Sequence, residues 1–152
     1  MTETAHLIMG AAIASRVPNP YLASIFALTS HLLLDIVPHW DTGTNWRNRS
    51  MKKTILYTAV DLGLGIAMSV VLFGNQVSLP YMLFIMFMST LPDWLEGPYF
   101  FGFKIPPFSS IYRLQHIFHK KKNLPWGLIT QIAFVAVLLF SIYLLSPHIP
   151  LI

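Results

Sequence analysis

The stretch whose reading decides the fold is His31-Leu32-Leu33-Leu34-Asp35-Ile36-Val37-Pro38-His39-Trp40-Asp41. It begins inside an apolar run that reads as a membrane helix, yet it carries two histidines and two aspartates. His31 and Asp35 are four residues apart, so on a helix they share one face and reach one point. Pro38 ends that helix and lets His39 and Asp41 fold back toward the same place. Imidazoles and carboxylates at this spacing make a hard-to-borderline metal site, of the kind that zinc, manganese or iron prefers.

The whole composition agrees with a helix in lipid. Of the 152 residues, 55% are apolar and 11% charged, with a mean hydropathy of +0.59. A soluble domain carries about 25% charged residues, so this chain is too poor in charge to solvate its surface in water. Its length suits a single integral-membrane domain over 1–152. Cysteine is absent, which removes disulfides and thiolate ligands from consideration. Met1-Thr2-Glu3-Thr4 lacks the basic start of a signal peptide, so none is expected.

Outward from the central stretch, hydropathy and turn residues divide the chain into about five helices. The first apolar segment, Ala5 to Val17, is too short for a hydrocarbon layer of about 30 Å. Its Gly10, Ala11, Ala12, Ala14 and Ser15 suit close helix packing. Pro18-Asn19-Pro20 turns the chain into a second helix, Tyr21 to Val37, predicting a hairpin that spans or re-enters the membrane. A polar loop from Pro38 to Lys53 leads to a third helix, Thr54 to Phe73, whose apolar run is broken only by Asp61. The fourth helix runs from Leu79 to about Trp94, and the last from Pro125 to Leu145. Between them, 97–124 is rich in aromatic and basic residues and is expected to lie in the membrane interface. The expected fold is therefore an all-α, polytopic membrane helical bundle.

Nine of the ten basic residues fall in the loop after helix two and the connection after helix four; Arg16 is the exception. By the positive-inside rule that side is cytoplasmic. Five of the six histidines and five of the six acids map to the same side. His6 lies at the start of the first helix, and His31 and Asp35 in the inner half of the second. His39 and Asp41 lie just beyond, Asp61 about two turns into the third, and Asp93 and Glu96 at the end of the fourth. His116 and His119 follow in the connection, while His148 is left on the far side.

Each of these has a plainer reading. Asp41, Glu96 and His39 could cap helix ends, Asp93 could open a turn, and His116 with His119 could belong to a solvated basic face. His31 could bond a neighbouring helix. Asp61 resists this, because a carboxylate in mid-membrane costs roughly 2.5–3.5 kcal/mol on insertion scales and needs a partner. His6, His31, Asp35, Asp61, Asp93, His116 and His119 outnumber the three protein ligands of one catalytic zinc. They suit two or more ions about 3.5–4 Å apart, with the His31-x-x-x-Asp35 pair supplying a bridging carboxylate. His39 is expected as a ligand or just behind the ligands. A buried polar network or a proton relay is the other reading of the set.

The His31-to-Asp41 segment resembles the motif of small bacterial membrane-bound metal-dependent hydrolases. His6 before a small-residue helix, Leu91-Pro92-Asp93 and the His116/His119 pair fit the same order of motifs. Where better-known members carry a longer His-Arg-x-x-Thr-His signature, this chain has His116-Ile117-Phe118-His119. Those proteins are distantly similar to zinc-dependent phospholipase C and the P1-type nucleases. These are all-helical phosphodiesterases with clustered zinc ions, in which one helix supplies a His-x-x-x-Asp pair. The resemblance implies zinc first among the candidate ions, hydrolysis of a phosphoester, and location in the bacterial inner membrane.

The chemistry expected is hydrolysis by a metal-activated water, whose pKa an ion lowers toward about 7. A carboxylate not fully engaged with metal, Asp41 or Glu96, would accept the proton, and Asp35 counts as catalytic through the metal it holds. Arg47, Arg113 and Lys120 are the candidate contacts to an anionic headgroup, and their plainer role is to orient the chain against anionic lipid. The expected partners are membrane lipid and a small-molecule or lipid phosphoester, with the lipid favoured; nucleic acid is not expected. The alternative is a metal-ion transporter, or a membrane metal-binding protein without hydrolytic activity. Transport would need polar residues continuing to the far side. A haem protein is disfavoured because carboxylates are poor haem ligands, and a scaffold would leave the acids unexplained.

Overall fold

The computed structural model describes residues 1–41, 44 and 48–144. Arg47 and His148 therefore lie outside the described residues. Six α-helices follow in order, and no strand occurs among the described residues: α1 (Glu3–Arg16), α2 (Pro20–Ile36), α3 (Met51–Phe73), α4 (Leu79–Phe100), α5 (Phe108–Phe118) and α6 (Trp126–Leu144). The all-α expectation holds, and the sixth helix is α5, formed inside the connection read as an interfacial segment.

Helix α1 is the centre of the molecule, not one arm of a simple hairpin. Nine of its fourteen residues are buried, on every face. It packs chiefly between α3 and α4, with α2 a lesser neighbour. Small residues make that possible, because helix axes approach most closely where side chains are shortest. A Cβ placed on Gly10 would lie 2.9 Å from Met86 Cα and 2.6 Å from Ser89 Oγ of α4. One placed on Gly65 of α3 would lie 2.8 Å from Thr4 Cα of α1. On α3 only Gly65, Ser69 and Phe73 are buried, a stripe with a four-residue period facing α1.

Helix α4 runs past Pro92 and Pro98, beyond the end near Trp94 that its prolines predict. A proline inside a helix loses one backbone hydrogen bond and crowds the preceding turn. Tertiary packing outweighs that local cost. Tyr99 on the extra turns stacks on Tyr112 of α5 at 3.9 Å between ring centroids, and Phe100 meets the same ring edge-on at 5.9 Å. Helix α2 starts as expected for its turn: Asn19 accepts from the backbone N–H groups of Tyr21 and Leu22, and Pro20 occupies the first helical position.

Two described helices, α3 with 23 residues and α6 with 19, are long and apolar enough to cross a membrane. The outer faces of α2, α3, α4 and α6 carry exposed large apolar side chains along their length, among them Tyr21, Leu33, Val71, Phe87, Val137 and Phe140.

A candidate metal centre

The start of α1, the end of α2 and the lower part of α4 meet at one end of the molecule, and α5 closes over them. There, two groups of side chains bring ligand atoms within 4.8 Å of one another: His6, His31 and Asp93 in one, Asp35, His39 and His119 in the other. Asp35 lies between the two. Its Oδ1 is 3.4 Å from His6 Nε2 and 3.8 Å from His39 Nε2. Its Oδ2 is 3.6 Å from His31 Nε2 and 3.4 Å from His119 Nε2. Asp35 is thus within 4 Å of imidazole nitrogens from both groups. The amino group of Met1 also pairs with Asp35 Oδ1.

The histidine rings are held from behind. His31 Nδ1 is 2.8 Å from the Ser89 carbonyl, and His39 Nδ1 is 2.7 Å from the Val37 carbonyl. A carbonyl can only accept, so each Nδ1 carries a proton and each Nε2 is turned toward the cluster. His6 and His31 stack with centroids 4.0 Å apart. Ser89 ties both to α4, since its Oγ also donates to the His6 carbonyl at 2.8 Å.

The cluster leaves ligand atoms without partners. Both nitrogens of His6, Nε2 of His39 and of His119, and Asp35 Oδ2 are buried with no hydrogen-bond partner. Buried polar atoms are paired in most folds, because each unpaired one costs about 1–3 kcal/mol. Neutral imidazole nitrogens and a carboxylate oxygen left open at close range are the donor set for a divalent cation. The His/Asp groups present could hold such an ion.

A second mooring comes from the chain after α5. The His39 N–H donates to the Lys120 carbonyl at 3.0 Å, the Lys122 N–H to the His39 carbonyl at 2.7 Å, and the Lys120 N–H to the Asp35 carbonyl at 3.2 Å. This short parallel pairing lays 120–122 against the end of α2. It brings Lys121 Nζ to 3.1 Å and His119 Nε2 to 3.2 Å from Asp41 Oδ2. Thr44 Oγ1 donates to Asp41 Oδ1 at 2.7 Å. Burial opposes charge on Asp41, but the neighbouring His119 and His39 imidazoles and the Lys121 ammonium outweigh it. They hold its carboxyl well below the usual carboxylate range.

Two expected ligands are placed elsewhere. The Asp61 carboxylate caps the start of α1: it accepts from the Glu3 N–H at 2.7 Å, the Thr4 N–H at 3.2 Å and Thr4 Oγ1 at 2.6 Å. The half-buried acid has its partner, and the partner is a helix N-terminus. His116 is exposed on α5 and stacks on Tyr112 at 5.3 Å. Glu96 sits half-buried near Asp93, Lys121 and Asp41. Arg113 is exposed, and Lys120 contributes its backbone while its side chain faces out.

Three contributors carry no sequence signal of their own. Gln115 is fully buried, donates to Asp93 Oδ1 at 3.1 Å and lies 3.4 Å from His31 Nε2. Ser89 anchors two histidines. Glu3, the sixth acid, joins the cluster beside Asp93, with Oε2 buried and unpartnered. Gln115 stands one helical turn before His119, and that shared face is the one sequence feature that could have pointed to it.

In comparisons with known proteins, no family model, no curated protein and no solved structure matches this chain. The fold and the cluster define its class: an all-helical protein with buried His/Asp groups that could hold a metal ion.

Proposed function

We propose that the chain is a multi-pass membrane protein of the inner-membrane type that hydrolyses a phosphoester, a lipid phosphoester in preference, at a centre of two or more divalent ions, zinc first among them. The observation that carries this is the pair of ligand groups on either side of Asp35, with inward atoms of His6, Asp35, His39 and His119 left without hydrogen-bond partners. The resemblance of His31-to-Asp41 to membrane-bound metal-dependent hydrolases supports it from a separate direction. The apolar outer faces support burial in lipid, since a monomeric protein in water rarely leaves so much contiguous apolar surface exposed. Lys52, Lys53 and Lys120–Lys122 lie at the same end as the cluster, which favours the cytoplasmic side for it.

Divalent ions in such a centre supply Lewis acidity and a water of lowered pKa. The rest falls to the chain. His31 and His39, each fixed by a backbone carbonyl, hold ligand lone pairs in place. Asp41, engaged by His119, Lys121 and Thr44, serves to hold those groups and is a poor proton acceptor. Glu96, half-buried beside them, is the better acceptor for the proton released from water. Lys121 offers a positive charge to a phosphate oxygen.

Metal analysis of the purified chain tests the centre. We expect at least one bound ion per chain, lost in His31→Ala and Asp35→Ala, with hydrolysis of lipid or soluble phosphoesters by the loaded protein. Metal content below one ion and indifferent to both substitutions would sink the reading. Metal flux into liposomes without hydrolysis would decide for transport instead.

A further inference from the structure

Two apolar clefts open on the sides of the bundle, and they differ at their inner ends. The larger, of about 820 Å³, lies between α3 and α6 over α1. Its polar residues are already paired, Asp61 with Thr4 and Thr2 with Gln131, and it touches no member of either ligand group. The smaller, of about 600 Å³, lies between α3 and α4. Ile55, Leu62, Phe100 and Phe101 form its apolar walls, and its inner end reaches Asp93 and Lys121. Asp93 belongs to one ligand group, and Lys121 is bonded to Asp41, which bonds His119 of the other. This cleft alone of the two leads from the lipid-facing surface to the candidate centre.

We infer that the cleft between α3 and α4 seats an acyl chain of an anionic phospholipid that enters sideways from the bilayer, with its phosphate drawn to Lys121. The inference rests on the reading of the chain as a membrane-embedded phosphoesterase and names the class and path of its substrate. The volume lies in the ordinary range for small-molecule sites. The walls match an alkyl chain, and the ammonium at the inner end matches a phosphate. Lys121 has three N–H donors, and the bond to Asp41 uses one. Lys120 and Lys122 flank it and extend the positive charge. Glu3 and Asp93 would repel a bare phosphate at the same end, and divalent cations, if held by His6, His31 and Asp93, would reverse that sign. Insertion of the acyl chain is therefore independent of metal, whereas headgroup selection depends on it.

The test uses the full chain in phosphatidylcholine vesicles with a trace of phospholipid carrying a photoreactive acyl chain. The probe is made with either a phosphatidylglycerol or a phosphatidylcholine headgroup, and adducts are mapped by mass spectrometry with and without zinc. We expect adducts concentrated at Ala59 and Leu62 over the outward-facing Val71. Ala59→Trp should remove most of the cleft adducts while metal content is unchanged; Ala59 is exposed, so the larger ring fills the cleft without entering the core. Lys121→Gln should reduce the zinc-dependent preference for phosphatidylglycerol by about fivefold, the weight of one lysine at an anionic surface. Adducts spread evenly along α3 and unaffected by Ala59→Trp would overturn the inference, as would a headgroup preference untouched by Lys121→Gln. Cleft adducts in a metal-loaded protein that hydrolyses no phosphoester would uphold the lipid site and count against the hydrolase reading alone.

Discussion

Asp61 and Asp35 are both carboxylates in apolar helices, and their surroundings give them opposite tasks. A charge in mid-membrane needs a partner, and sequence spacing alone does not say which kind. Asp61 meets three donors at the start of α1, which satisfies backbone groups that a helix leaves open at its N-terminus. Asp35 meets four imidazole nitrogens, three of which have no other hydrogen-bond partner. Asp61→Ala should therefore lower thermal stability by about 0.5–2 kcal/mol, the usual weight of a helix cap, and leave metal content unchanged. His116→Ala should change neither. Metal loss in either variant, measured beside Asp35→Ala, would return that residue to the ligand set.

At the scale of elements, the cluster depends on how closely helices and loops approach. Gly127, in the first turn of α6, lies under the segment that carries His39. A Cβ there would come within 2.7 Å of Trp40 N and 3.0 Å of His39 C, and would also meet the Lys122 carbonyl. All of these are backbone atoms and cannot swing aside. Gly127→Ala should push the 39–40 and 120–122 segments apart, costing about 1–3 kcal/mol as overpacking does. It should weaken metal binding through His39 and His119 while sparing the His6, His31 and Asp93 group. A calorimetric titration that shows both classes of site unchanged would refute that coupling. The same physics explains α1, whose glycine and alanines let α3 and α4 close on it, so that its histidine is buried in the middle of the bundle.

For the whole molecule, an apolar exterior and a polar, partly unpaired interior define the expected behaviour. On the proposed multi-pass reading, the chain should stay with membranes through an alkaline wash. Once purified in detergent, it should lose stability on chelation. A ligand present at about 100 times its dissociation constant stabilises by about 2.7 kcal/mol, so removing bound zinc should lower the melting temperature measurably. Release into the soluble fraction on washing would refute the multi-pass reading. A melting temperature indifferent to chelator would count against a resident ion.

The sequence by itself determined the helical class, the number and rough bounds of the long helices, and the shared face of His31 and Asp35. These follow from hydropathy, period and turn residues, which are local. It also mapped five of the six acids and five of the six histidines to one side, since helix order and length fix which ends meet. Only the tertiary structure decided which of them converge. It assigned Asp61 to the start of α1 and His116 to the ring of Tyr112. It drew in Gln115, Ser89 and Glu3, and set His39 Nε2 3.8 Å from Asp35 Oδ1. It also carried α4 through two prolines, because packing of Tyr99 and Phe100 on α5 outweighs the local loss. Position along a helix fixes a residue's height in the bundle and leaves its direction free; the direction is set by which helix stands opposite, and that is a property of packing.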